Sequence, residues 1–264
     1  MGIGKARTRS ARTRGSTTPE WWQGQFDAHY LLEYRPIFDL GRDRQEVSRL
    51  IDLLGLPAGS RVLDVPCGQG RHAHLLAEAG FDVDGLDLSR ELLERARARG
   101  TGPTLRYRHG DMRKLPAQWT ARFDAVVNLF TSFGFFLQPR DDGTVVAEWA
   151  RVLKPGGTLI WHGGNRDGVM RRFLARDWWL ADGKTMVGHE RKFDVLSGVL
   201  TVRSTWRGPR SSGEREHRIR LYSATHLSDL LARPGLIVEG AFDAWTNRPL
   251  SRRSGEMLLV ARKG

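Results

Sequence analysis

A second cysteine is missing. Cys67 stands alone among 264 residues, so no internal disulfide framework holds the fold, and a cytoplasmic protein is expected. No apolar run approaches the roughly 20 residues that a membrane-spanning helix needs. Basic residues open the chain with no apolar segment behind them, which does not read as a secretory leader. No internal repeat is present. Acids are in short supply, with 30 Asp and Glu against 42 Lys and Arg and a net charge of +12. Lys5, Arg7, Arg9, Arg12 and Arg14 account for about five of those charges and sit in a segment without apolar periodicity. The remainder is dispersed and mostly arginine, so charge alone does not name a partner.

What is present is concentrated between Arg61 and Trp161. The run Arg61-Val62-Leu63-Asp64-Val65 ends in Pro66-Cys67-Gly68-Gln69-Gly70-Arg71-His72, and Val83-Asp84-Gly85-Leu86-Asp87 follows a helix-length interval. This reads as strand, glycine turn, helix, strand, with ligand-binding groups at the strand ends. Gly68 and Gly70 let the backbone approach a ligand closely. Asp87 ends the second strand, where a carboxylate can accept from a ribose diol. Both features suit a dinucleotide as well as a sulfonium nucleoside. Asp64 separates the two, because a second acid beside a pyrophosphate costs free energy, whereas an ammonium or sulfonium tolerates it. Asp64 can also cap the loop. Gly110-Asp111-Met112 follows a third strand near Leu105, Phe123–Asn128 reads as a buried fourth, and Lys154-Pro155-Gly156-Gly157 launches a fifth.

Taken in this order, the motifs resemble those of the class I S-adenosylmethionine-dependent methyltransferases. The resemblance implies a Rossmann-like, doubly wound α/β fold with a seven-stranded, mostly parallel sheet. It implies S-adenosylmethionine as cofactor. It implies methyl transfer to an N or O atom of a small metabolite by in-line displacement. It places Asp64, Gly68 and Gly70 around the methionine portion, Asp87 at the ribose, and Asp111 with Met112 at the adenine, with Leu88 also among the cofactor-binding residues. Asn128, Leu129 and Phe130 would floor the site beside the transferred methyl.

Three regions are expected: a disordered basic tail over 1–18, a helical lid over 19–58, and a methyltransferase domain over 59–264. Gly168–Trp179 reads as an amphipathic helix. Antiparallel strands follow in an insertion at about 183–222, with turn residues near Asp194–Gly198. The insertion resembles the auxiliary sheet of small-molecule methyltransferases, among them the sugar-amine N-methyltransferases. Phe26–Tyr34 is similar to their tyrosine-bearing lid helix, with Tyr30 the first candidate to close over the methionine end and Tyr34 the second.

Phe135 occupies the position where the sugar-amine enzymes tend to carry a histidine, and phenylalanine cannot take a proton. His162, after the fifth strand, is therefore the base to test, or else a hydrogen-bonded structural histidine. Trp22 and Trp245, with Phe135, suggest an aromatic acceptor pocket, though rings of this size also serve cores. His72 and His74 are two apart on a helix and face apart, so no metal site is expected. A small-molecule acceptor and no membrane partner are expected. The alternative is an RNA methyltransferase using the basic tail for phosphate contacts. No Asn-Pro-Pro-Tyr-like tetrad supports it, since Asn128-Leu129-Phe130-Thr131 stands after the fourth strand. A silent binding module of the same fold is a third possibility.

Overall fold

The computed structural model describes residues 24–136, 138–209 and 211–264. The tail over 1–18 and Trp22 lie outside these described residues.

Helix α1 (Ala28–Glu33) starts at Asp27, whose Oδ1 accepts the amides of His29 and Tyr30 at 2.9 and 3.0 Å. Helix α2 (Leu40–Leu54) starts at Asp39 and stops at Gly55, which turns the chain with φ +58°. Strand and helix then alternate: β1 (Arg61–Asp64), α3 (Arg71–Glu78), β2 (Asp82–Asp87), α4 (Arg90–Arg99) and β3 (Leu105–His109). A second half follows with β4 (Phe123–Asn128), α5 (Pro139–Val152) and β5 (Leu153–Gly164). Buried apolar residues such as Val62, Leu63, Val126 and Val127 fill the central strands, as strands covered on both faces require.

After β5 come α6 (Arg166–Arg171) and four strands, β6 (Arg176–Leu180), β7 (Met186–Asp194), β8 (Val199–Arg207) and β9 (Ser212–Arg220). Helix α7 (Ala224–Ala232) leads to β10 (Leu236–Asp243) and β11 (Glu256–Lys263). The main sheet runs β10-β11-β5-β4-β1-β2-β3, with β11 antiparallel to both neighbours and the other pairs parallel. It is the doubly wound, seven-stranded α/β sheet. The strand order reverses between β1 and β4, and ligands bind outside the carboxyl ends of strands at such a point. Apolar clusters cover both faces: Val126, Trp149 and Leu159 belong to one, Val62, Val83 and Val127 to the other.

A separate antiparallel sheet has the order β6-β7-β8-β9. It has one strand more than the sequence suggests and begins earlier, because Gly168–Trp179 is not one helix. Only Arg166–Arg171 is helical. From Arg176 the chain alternates, with Asp177 and Trp179 half-buried and Arg176, Trp178 and Leu180 exposed. A short apolar stretch satisfies either period until a partner strand decides, and β7 decides it here.

This sheet packs over the strand ends. Leu200, Val202, Ile219 and Leu221 contact Phe135 in the segment after β4. Arg220 N–H donates to the Gly134 carbonyl at 2.8 Å. Gly134 has φ +98°, and a Cβ there would run into the Arg220 backbone, so only glycine permits this approach. No helix among the described residues is long and apolar enough to cross a membrane.

Candidate active site

A cavity opens where the carboxyl ends of β1, β2 and β4 meet the segment before α2. Its strand-end wall holds Asp64, Cys67, Gly68, Asp87, Leu88, Asp111, Met112 and Leu129. The glycine turn shapes it. Gly68 has φ +53°, and a Cβ there would project into open space. Its amide donates to Asp87 Oδ2 at 2.8 Å, while Ser89 N–H donates to Asp87 Oδ1 at 2.7 Å. Asp87 thus binds the loop to β2 and keeps lone pairs toward the cavity. Burial raises its carboxyl to about 6, against the backbone amides of Ser89 and Gly68.

Asp64 is more extreme. It is 2% exposed, and its Oδ2 has no hydrogen-bond partner among the described residues. Burial lifts its carboxyl to about 8, opposed by the Arg71 charge and assisted by that of Asp87. Asp64 thus presents a buried, unsatisfied acid to the cavity.

Other candidates fall in different places. Asp111 and Met112 line the cavity, but Asp111 already accepts from the Arg113 amide and guanidinium, both at 2.8 Å. Gly70 does not line it. It caps α3 with φ +73°, and a Cβ would strike the Tyr107 hydroxyl and Ala96. Asn128 does not line it either, being fully buried with Nδ2 donating to the Val65 carbonyl at 2.7 Å. Both fix the glycine turn from behind.

The opposite wall is aromatic. Phe26, Tyr30 and Phe38 come from the N-terminal segment, Phe130, Phe135 and Phe136 from the chain after β4. Phe26 meets Phe135 edge-on at 5.4 Å and Tyr30 at 5.3 Å. Burial raises the Tyr30 phenol far above its ordinary value, so it stays protonated. Tyr34 is outside the lining, its ring centroid 5.0 Å from that of Tyr30 and tilted 44° to it.

His162 and Trp245 are not brought to the cavity. His162 is 1% exposed, its Nδ1 accepts from the Phe130 amide at 3.2 Å, and its ring lies 4.6 Å from that of Trp245. That bond gives His162 a supporting contact to the segment after β4. Phe130 and Thr131 both have positive φ, +59° and +56°, in two consecutive residues that are not glycine. Such strain persists only where the surroundings over-determine it, and the His162 bond is one restraint.

The lid helix is held by the auxiliary sheet. Glu33, 4% exposed, takes His189 Nε2 at 2.9 Å and Ser204 Oγ at 3.3 Å, and pairs with the Arg215 guanidinium. Its carbonyl accepts from Trp179 Nε1 at 3.2 Å. Each of β6, β7, β8 and β9 therefore contributes one group. Burial works against the Glu33 anion, yet the His189 bond and Arg215 charge hold its carboxyl below the usual range.

Sequence reasoning missed Arg71. It lines the cavity at 7% exposure, with Nη1 paired to Asp43 and to Glu46, the latter at 3.0 Å. Glu46 also binds His72 Nε2 at 2.7 Å and Arg42 Nε at 2.8 Å. Burial opposes its charge, but these partners bring Glu46 down to about 2. Asp43, Glu46 and His72 are close enough to suggest cation ligands, yet Arg71 and Arg42 already supply the positive charge.

A family model described as a methyltransferase domain matches residues 62–157. Over these residues the chain is similar to methyltransferase domains. Over 139 residues it is 35% identical to dTDP-3-amino-3,4,6-trideoxy-alpha-D-glucopyranose N,N-dimethyltransferase of Streptomyces venezuelae, covering 50% of this chain and 57% of that protein. The chain thus spans little more than half the length of this relative. Among solved structures, an S-adenosylmethionine-dependent methyltransferase of Clostridium acetobutylicum ATCC 824 shares the fold with a TM-score of 0.74 at 19% identity, over 90% of this chain and 97% of that one. The sugar N-methyltransferase KedS8 of Streptoalloteichus sp. ATCC 53650 does so with a TM-score of 0.68 at 20% identity, over 100% and 98%. The doubly wound strand order accounts for the cavity's position at the β1–β4 reversal.

Proposed function

We propose that this chain transfers a methyl group from S-adenosylmethionine to an N or O atom of a small, ring-bearing metabolite, acting in the cytoplasm. The observation that carries the reading is the cavity's division: acids Asp64, Asp87 and Asp111 on the strand ends, six aromatic side chains opposite. The unpartnered Asp64 oxygen and the open space before Gly68 fit the cofactor's cationic end and its close approach to the backbone.

When bound, the cofactor supplies a methyl group on an electron-poor sulfur. The chain supplies position and dryness. Asp87 would take the ribose hydroxyls while holding Gly68 in place, and Met112 would hold the base. Tyr30 and Phe26 close the outer side, and exclusion of water matters because an in-line displacement needs its nucleophile roughly 3 Å from the methyl and unsolvated. Phe130 and Phe135 present an apolar face with no proton acceptor, so the acceptor attacks as a neutral amine and, once the S–CH3 bond has broken and the N–CH3 bond formed, gives up its proton to solvent. Amine nitrogen is favoured because the S. venezuelae relative is named for N,N-dimethylation.

The test uses the purified chain, S-adenosylmethionine labelled in its methyl group, and a cell extract divided into metabolite, protein and RNA fractions. Label in the metabolite fraction is expected. Label in RNA would instead support the basic segment as a phosphate-binding arm, and no label in any fraction would overturn the reading.

A further inference from the structure

A buried charge pair ties the aromatic side of the cavity to α5. Asp142 of α5 is fully buried, and Arg220 at the end of β9 is 9% exposed. Arg220 Nε lies 3.4 Å from Asp142 Oδ2, which also accepts from the Tyr222 hydroxyl at 2.7 Å. Arg220 reaches two further segments. Its Nη1 donates to the Ser197 carbonyl between β7 and β8, and its amide donates to the Gly134 carbonyl after β4. The Tyr222 ring lies 5.3 Å from that of Phe133, which is buried against Trp149 at 5.2 Å.

These contacts converge on residues 131–136. Phe133 turns inward to Tyr222, while Ser132, Phe135 and Phe136 line the cavity. Stability alone does not call for such a pair. Taking two charges out of water costs about as much as their attraction returns, so apolar residues would hold the fold as well. What the pair adds is direction. Asp142 fixes Arg220, and the Arg220 backbone meets Gly134 too closely for any Cβ. A misplacement of about 1 Å near a reacting group costs on the order of 100-fold in rate, so a fixed wall has chemical value.

We propose that Asp142, Tyr222 and Arg220 are positioning residues for the methyl acceptor, setting Phe135 and Phe136 against the strand-end wall of the cavity. This rests on the methyltransferase reading of the cavity and adds residues outside it that act on the acceptor and not on the cofactor. The Asp142 charge gives the arrangement a signature in solution. Burial lifts its carboxyl to about 6, assisted by the neighbouring Asp141 and opposed by the Tyr222 hydrogen bond and the Arg220 charge. As pH falls through that value the anion is lost and the pair with it. Beyond Tyr222 stand His226 of α7, 4.9 Å from its ring, and Arg233 at the end of that helix. Burial lowers the His226 imidazole, and Asp142→Asn leaves it in place, so its titration cancels when the two proteins are compared.

The test measures label transfer from saturating S-adenosylmethionine against dilutions of the metabolite fraction, in the wild type and in Asp142→Asn. Asparagine keeps an oxygen for the Tyr222 hydroxyl and loses the charge. At pH 7.5 kcat/KM for the fraction should fall about tenfold, while S-adenosylhomocysteine affinity by calorimetry stays within about threefold. At pH 5 about nine in ten wild-type Asp142 carboxyls are protonated, so the ratio of the two proteins should shrink to about twofold. Titration of the acceptor, Asp64 and Asp87 is common to both and cancels. Deuterium uptake should quicken over 131–136 in Asp142→Asn and stay unchanged over 64–70. Tyr222→Phe keeps the ring and removes the donor, so it should quicken the same segment if Asp142→Asn does not fold. A ratio that is equal at both pH values, or equal weakening of acceptor and S-adenosylhomocysteine, would overturn the positioning role while sparing the methyltransferase reading. A wild type that labels no metabolite would overturn both.

Discussion

Proton release on cofactor binding is the most direct consequence of where Asp64 lies. Burial raises its carboxyl from the ordinary 3.8 to about 8, so in the free protein at pH 7 about nine in ten molecules carry a proton there. An ammonium placed against Oδ2 stabilises the anion. If the bound-state value falls below about 5, binding S-adenosylhomocysteine at pH 7 expels roughly 0.9 protons per ligand. Affinity should then rise close to tenfold per pH unit below about 8 and level off above it. Asp87, raised to about 6, adds only about 0.1 proton at pH 7. Calorimetry at pH 7 in buffers of different ionisation enthalpy measures the number directly, and Asp64→Asn should reduce it to that small remainder. Release near zero in the wild type, or undiminished release in Asp64→Asn, would refute the assignment of the buried charge. The same shift acts on folding. The folded chain retains a proton that the unfolded chain has lost, so Asp64 contributes stability below about pH 4 that is lost as pH rises through about 8. Denaturant midpoints of the ligand-free protein should fall over that window, and less so in Asp64→Asn.

Three further substitutions separate scaffold from site. Glu33→Gln removes the buried anion that holds α1 to β7, β8 and β9 and leaves the Arg215 guanidinium with the partly exposed Asp27 as its remaining ion-pair partner; destabilisation by about 3 kcal/mol in urea and faster deuterium uptake over 28–33 are expected, and unchanged uptake would remove the latch. Gly134→Ala meets both a positive φ and the Arg220 backbone, so a loss of roughly 2 kcal/mol or more should appear in thermal unfolding. His162→Asn keeps an acceptor for the Phe130 amide, so kcat within about threefold of wild type and the same pH profile are expected. A loss beyond about 100-fold with a flattened alkaline limb would return His162 to the role of base.

The parts of this fold that can be read from sequence are those where one local signal has one physical solution. Apolar runs bounded by glycine and acid, such as Val62–Asp64 and Val83–Asp87, have to be buried parallel strands, and the cavity follows from the topology that connects them. Where two periods compete the reading fails, as at Trp178 and Trp179, whose strand is settled by pairing with Gly188 and Val187. Side-chain direction fails too. His162 is one residue of β5 among many, and only its register against Leu258 on β11 and the cover of Trp245 put it behind the cavity.

Arg71 shows what a closer physical reading of the sequence would find. Next to a glycine turn it looks like a solvated charge. Yet α2 carries Asp43 and Glu46 on the stripe it shares with Val47, Leu50 and Leu54, at positions an amphipathic helix reserves for its core. Two acids at core positions are untenable without a buried cation. The chain was bound to supply one from whatever packs on α2, and that element is α3, which opens with Arg71. An acid in an apolar stripe is therefore a pointer to a distant base. Here the base it points to was left with one nitrogen unsatisfied, in a side chain that lines the same cavity as the unsatisfied carboxyl of Asp64.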